Sequence, residues 1–70
     1  MEVLVFKTNL SSIRCINNVG AYLSSHPHIA RWNVDLQDSD HVLRIETESL
    51  NGSDIESIVS KAGYSCEELQ

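Results

Sequence analysis

Apolar side chains recur at every second position in some stretches of the chain and at helical spacing in others. This alternation predicts the order of the elements. Leu4, Phe6, Thr8 and Leu10 share one face of a first strand, with Val3, Val5 and Lys7 on the other. A strand apolar on both faces belongs in the middle of its sheet. Ile16, Val19, Gly20 and Leu23 then fall within an arc of about 100°, the width of a core-facing helical stripe. Ser11 or Ser12 is placed to cap that helix, and Pro27 ends it by biasing His26 away from helical geometry. Gly20 in mid-helix costs about 1 kcal/mol relative to Ala, which implies close packing on the sheet.

Trp32, Val34 and Leu36 alternate with Arg31, Asn33 and Asp35, and Leu43, Ile45 and Thr47 alternate with Val42, Arg44 and Glu46. The turn residues Gln37-Asp38-Ser39-Asp40 lie between them, so the two runs form a hairpin. Asn51-Gly52-Ser53 breaks the chain, and Ser53-Asp54-Ile55-Glu56 reads as a capping box with Ser53 at N-cap and Glu56 at N3. Ile55, Ile58, Val59 and Ala62 line the second helix, Lys61 suits its last turn, and Gly63 suits the position just past its end. Tyr64 to Leu69 is too short for another helix and reads as an edge strand.

The order β-α-β-β-α-β is the split βαβ, ferredoxin-like arrangement of the α+β class. Right-handed crossovers give a four-stranded antiparallel sheet with two helices on one face. The span 1–70 makes a single small domain, whose 41% apolar content must be used almost completely to offset chain entropy. Two cysteines are too few for a disulfide scaffold, and no apolar run reaches about 18 residues. The expectation is a soluble, cytoplasmic protein. A formal charge of −5 speaks against nucleic acid and against anionic membranes as partners.

The topology sorts the chemistry-bearing residues to two ends. Ser12, Cys15, His41 and Tyr64 fall at one end, with Cys66 slightly below, while His26 and His28 fall at the other, about 16 Å away along the first helix. His26-Pro27-His28 therefore cannot share a site with Cys15 and reads as a solvated loop. In the first turn of a helix, Cys15 has its thiolate favoured by backbone N–H groups and the helix dipole; otherwise it is a small hydrophobe beside the core stripe. Cys66 is expected to point inward, His41 to be solvated, and Tyr64 to cover the end of the core with its hydroxyl wet. A Cys15–Cys66 disulfide would require a Cα separation below about 7 Å. No base or resolving partner for Cys15 is evident, so an enzyme is not expected.

These residues resemble the heavy-metal-associated (HMA) domain of copper chaperones and metal-transporting ATPases. The likeness runs through Leu10-Ser11-Ser12-Ile13-Arg14-Cys15, Trp32-Asn33-Val34-Asp35-Leu36, Val42-Leu43-Arg44-Ile45-Glu46-Thr47 and Lys61-Ala62-Gly63-Tyr64. In that family the loop reads Met-x-Cys-x-x-Cys, and two thiolates hold Cu(I) or another soft cation. By resemblance, Leu10 stands for the Met, Ser12 for the first Cys, Cys15 keeps the second, and Tyr64 falls beside the metal. A Ser hydroxyl stays protonated and hard where soft Cu(I) selects thiolate, so the resemblance implies a degenerate site that binds metal weakly through Cys15. Tighter binding would need a further soft donor: Cys66, His41 or Cys15 of a second molecule. The implied partners are a metal transporter or another HMA domain, with the chain a monomer or weak dimer. The alternative is a metal-free interaction module that keeps the fold, with a modest strip of Val3, Val5 and Val42 on the sheet face.

Overall fold

The computed structural model describes residues 2–69, and its elements follow the expected order. They are β1 (Glu2–Thr8), α1 (Ile13–Ser24), β2 (Ile29–Asp35), β3 (Val42–Thr47), α2 (Gly52–Lys61) and β4 (Cys66–Glu68). All strand pairs are antiparallel, in the spatial order β2-β3-β1-β4. β1 is central, as its two apolar faces require. This is the ferredoxin-like βαββαβ arrangement.

The core lies between one sheet face and the two helices. Leu4, Phe6, Leu43 and Ile45 from β1 and β3 meet Val19 and Leu23 of α1 and Ile55 and Val59 of α2. All four positions expected to face inward from the first strand are buried, including Leu10, which lies beyond the strand's end. Thr8 and Thr47 are buried hydroxyls, and each has a partner. Thr8 Oγ1 donates to the His41 carbonyl at 2.6 Å, and Thr47 Oγ1 donates to the His28 carbonyl at 2.6 Å. Each bond ties a sheet end to a loop while avoiding the cost of an unpaired buried polar group.

Gly20 sits against the indole of Trp32, where a Cβ would stand 2.8 Å from Cζ2. Close helix–sheet packing is therefore the reason for a glycine in mid-helix. α1 ends at Ser24, with Ser25 as its C-cap, two residues ahead of Pro27. Gly63 follows the Ala62 C-cap with φ +95°, the left-handed geometry that a helix terminator needs.

The capping box of α2 is displaced from its expected place. Asn51, not Ser53, is the N-cap, and Asp54, not Glu56, is N3. Asn51 Oδ1 accepts from the Asp54 N–H and Asp54 Oδ2 accepts from the Asn51 N–H, both at 3.0 Å. Ser53 Oγ donates to Asn51 Oδ1 instead, and Glu56 Oε2 accepts from the Glu68 backbone N–H at 3.4 Å. Starting the helix two residues earlier seats Gly52 in the first turn, where it is buried against the Glu68 carboxylate. That tertiary contact selects between two overlapping capping patterns.

His41 also departs from expectation. It has φ +47°, is only half-exposed, and its Nδ1 is buried without a hydrogen-bond partner among the described residues. The hairpin reverses within a short loop in which the Asp38 carbonyl accepts from the His41 N–H at 3.0 Å. The left-handed turn with which this loop closes sets His41 against the structure rather than in water.

Candidate functional site

The end of β1 is fastened on two sides, and these fastenings build the site. The Thr8 N–H donates to the Asp40 carbonyl at 3.1 Å, holding the β2–β3 hairpin. The Asn9 N–H donates to the Ser65 carbonyl at 3.3 Å, and Asn9 Oδ1 accepts from the Ser65 N–H at 2.9 Å. Leu10 is fully buried, and its N–H donates to Thr8 Oγ1 at 3.1 Å. The loop leading into α1 is thus pinned to the core by Leu10 and to the residue after Tyr64 by Asn9.

Ser12 is the N-cap of α1. Its Oγ accepts from the Cys15 N–H at 3.4 Å and donates to Cys15 Sγ at 3.4 Å. The same hydroxyl therefore satisfies an orphan helix donor and supports the sulfur. Tyr64, delivered by the turn after α2, lies beside this end of α1, where Asn18 Nδ2 donates to its hydroxyl at 2.8 Å.

The Cys15 thiol is held below its ordinary pKa. The hydrogen bond from Ser12 is the largest cause; partial burial, next in size, works in the opposite direction, and the Tyr64 hydroxyl and the backbone of Ser11 and Ser12 lower it further. Cys66 behaves in the opposite way. It lies directly across from buried Thr8, on the core side of β4, and is half-buried. Desolvation and the nearby Glu56 carboxylate push its pKa up to about 11. Both cysteines are free thiols. The two thiols are thus shifted in opposite directions.

Ser12, Cys15 and Tyr64 come together as their places in the topology imply, whereas His26 and His28 lie together elsewhere, with ring centroids 5.7 Å apart. Asn18 and Asn9 are missed by the sequence reading. Asn18 could have been found from its spacing, one turn after Cys15 on the same helix face. Asn9 carries no local signal, since its partner is 56 residues away. Val3, Val5 and Val42 do lie on the open sheet face, but Arg44 pairs with Val5 and interrupts the strip. Among the described residues, no three or more His, Cys, Asp or Glu side chains group as metal ligands, and no helix is long and apolar enough to cross a membrane.

No protein-family model matches this chain, and no curated protein matches it. Solved structures do. A copper-binding domain from HMA7, a P-type ATPase, superposes with TM-score 0.85 at 19% identity, covering 100% of this chain and 96% of that one. The Cu(I)-loaded first domain of the human copper chaperone for SOD1 gives TM-score 0.80 at 17% identity, covering 94% and 89%. The Atx1–Cu(I)–Ccc2a complex gives 0.83 at 14% identity, covering 100% and 97%. The chain therefore has the HMA, copper chaperone-like fold.

Proposed function

We propose that this domain binds a soft monovalent metal ion, Cu(I) in the first instance, weakly and reversibly through the Cys15 thiolate, and exchanges it with a protein partner. One observation carries the reading. The Cys15 sulfur sits in the first turn of α1 with the Ser12 hydroxyl donating to it at 3.4 Å, beside the Tyr64 hydroxyl that Asn18 holds. A hydrogen bond to the sulfur lowers the cost of losing its proton on metal binding, and a lone thiolate releases its ion readily. Ser12 acts as a donor to the sulfur, and neither Ser12 nor Tyr64 acts as a ligand, because a neutral hydroxyl is a poor match for a soft cation.

The copper-binding HMA7 domain and the Cu(I)-containing Atx1–Ccc2a complex support the choice of metal, and support a transporter or another HMA domain as the partner. The partner would supply the second soft donor during transfer. On this reading the domain is a carrier rather than an enzyme, and it works in a reducing compartment such as the cytoplasm, where Cys15 stays free.

The second reading, a metal-free interaction module, is favoured by the same Ser12. Its hydroxyl already serves as the α1 N-cap, so the loop is tied down without an ion. Competition titration with a Cu(I) chelator separates the two readings. Wild-type protein should take up Cu(I) measurably, Cys15→Ala should abolish uptake, and Ser12→Cys should tighten it by at least about 100-fold, or roughly 2.8 kcal/mol. Uptake unchanged by Cys15→Ala would remove the first reading, as would wild-type protein that takes up no Cu(I).

A further inference from the structure

The two edges of the sheet differ in how they are protected. β4 has only three residues, and Glu56 takes the Glu68 N–H that faces outward. β2 has seven residues and, among the described residues, no such cover. Long, uncovered edges are templates for pairing with another strand.

The register shows which β2 groups are free. The bonds from the Leu69 N–H to the Val5 carbonyl and from the Asn9 N–H to the Ser65 carbonyl direct the odd-numbered residues of β1 toward β4. Its even residues therefore face β3, where Leu4 pairs with Ile45 and Phe6 with Leu43. By the same alternation Val42, Arg44 and Glu46 of β3 face β2, and their partners there are Asp35, Asn33 and Arg31. The backbone amides and carbonyls of Trp32 and Val34 are left pointing outward. Ala30 is the extra residue of an irregularity between Ile29 and Arg31, so the regular edge runs from Arg31 to Asp35.

The side chains of this edge are self-complementary. Arg31 and Asp35 both lie on the open sheet face, both are exposed, and neither enters an ion pair among the described residues. When the edge is laid antiparallel on a second copy about Asn33, Arg31 stands opposite Asp35, and symmetry repeats the pair. In that register Trp32 stands opposite Val34, and their outward amides and carbonyls meet reciprocally. A two-fold centred on Trp32 or Val34 instead sets Arg31 or Asp35 against an uncharged residue.

We propose that β2 is a homodimerisation edge, joining two copies of this chain into one continuous sheet through the Asn33-centred register. The antiparallel arrangement places the two Cys15 ends on opposite sides of the dimer. Association through β2 is therefore independent of metal and of the thiol.

Sedimentation equilibrium at low ionic strength tests this, with folding of each variant checked by circular dichroism. The wild type should show a monomer–dimer equilibrium that weakens as salt rises. Arg31→Asp and Asp35→Arg should each weaken it by at least about tenfold, because each sets like charges opposite one another twice. The double variant Arg31→Asp/Asp35→Arg should dimerise again, and an equimolar mixture of the two single variants should form the heterodimer. Amide exchange in the wild type should slow at Trp32 and Val34 as concentration rises, a readout that needs no variant. A wild type that stays monomeric up to about 1 mM would overturn the proposal. So would a dimer unmoved by the charge reversals, or one abolished by Cys15→Ala.

Discussion

Replacing Gly20 by Ala sets two effects of similar size against each other, and the structure decides which wins. Ala is favoured over Gly in mid-helix by about 1 kcal/mol. The added Cβ would stand 2.8 Å from Trp32 Cζ2 and 2.9 Å from Cη2, where carbon atoms pack comfortably only from about 3.5 Å. The indole cannot simply swing away. Its Nε1 donates to Ser24 Oγ at 3.2 Å, and its strand position is paired with buried Ile45. Overpacking of this kind costs about 1–3 kcal/mol. Taking about 2 for the clash and subtracting about 1 for helix propensity leaves a net loss near 1 kcal/mol, which in a domain of this size lowers Tm by roughly 4–8 °C. Thermal unfolding followed by circular dichroism reads this directly. The decisive control is the same change in a Trp32→Phe background. With the clashing atoms gone, Gly20→Ala should there stabilise by up to about 1 kcal/mol, and the sign reversal isolates the contact. A Gly20→Ala protein more stable than wild type, or the same effect in both backgrounds, would refute the packing argument.

Other outcomes follow from the same geometry. Ser12→Ala removes the donor to the Cys15 sulfur and Tyr64→Phe removes a neighbouring hydroxyl that lowers its pKa, so the pH midpoint of alkylation by iodoacetamide should move upward in both, more in Ser12→Ala, while Asn18→Ala should move it least, acting only through Tyr64. At neutral pH one thiol, Cys15, should react in the folded protein, and mass spectrometry should find Cys66 modified only after unfolding. Because Cys66 titrates at about 11 when folded against an ordinary value of 9.0, its contribution to stability is complete below pH 9 and is lost as pH rises through 11; Cys66→Ala should flatten that alkaline decline in denaturant titrations. For Cys15 the sign is opposite: its lowered pKa contributes stability above the ordinary thiol pKa, which is lost as pH falls through the folded value. Asn51→Ala should cost about 1 kcal/mol by removing the α2 cap, whereas Ser53→Ala should stay within about 0.5 kcal/mol; equal costs would contradict the assigned cap.

Legibility from the chain differed from one residue to the next for physical reasons. Leu4, Phe6, Thr8 and Leu10 could be assigned inward because strand periodicity is a local property, repeated every two residues. Gly63 was readable because a left-handed helix terminator needs glycine for a local steric reason. The α2 cap was ambiguous because Asn51-x-x-Asp54 and Ser53-x-x-Glu56 both fit a capping box, and the choice rests on Gly52 meeting Glu68 from another element. The topology brought Ser12, Cys15 and Tyr64 to one end, but it did not show that Ser12 would donate to the sulfur or that Asn18 would hold the Tyr64 hydroxyl.

The sequence by itself determined the order of the elements, the faces they bury and the end of the sheet at which Cys15 lies. Each follows from spacings of two to four residues, which fix a side chain's direction relative to its own backbone. Only the tertiary structure decided that Tyr64 meets a helix 46 residues distant, that Asn9 pins the loop to Ser65, and that the two thiol pKa values shift in opposite directions. Those outcomes depend on how rigid elements settle against one another over the core. Local periodicity does not encode that settlement; packing and the satisfaction of buried polar groups do.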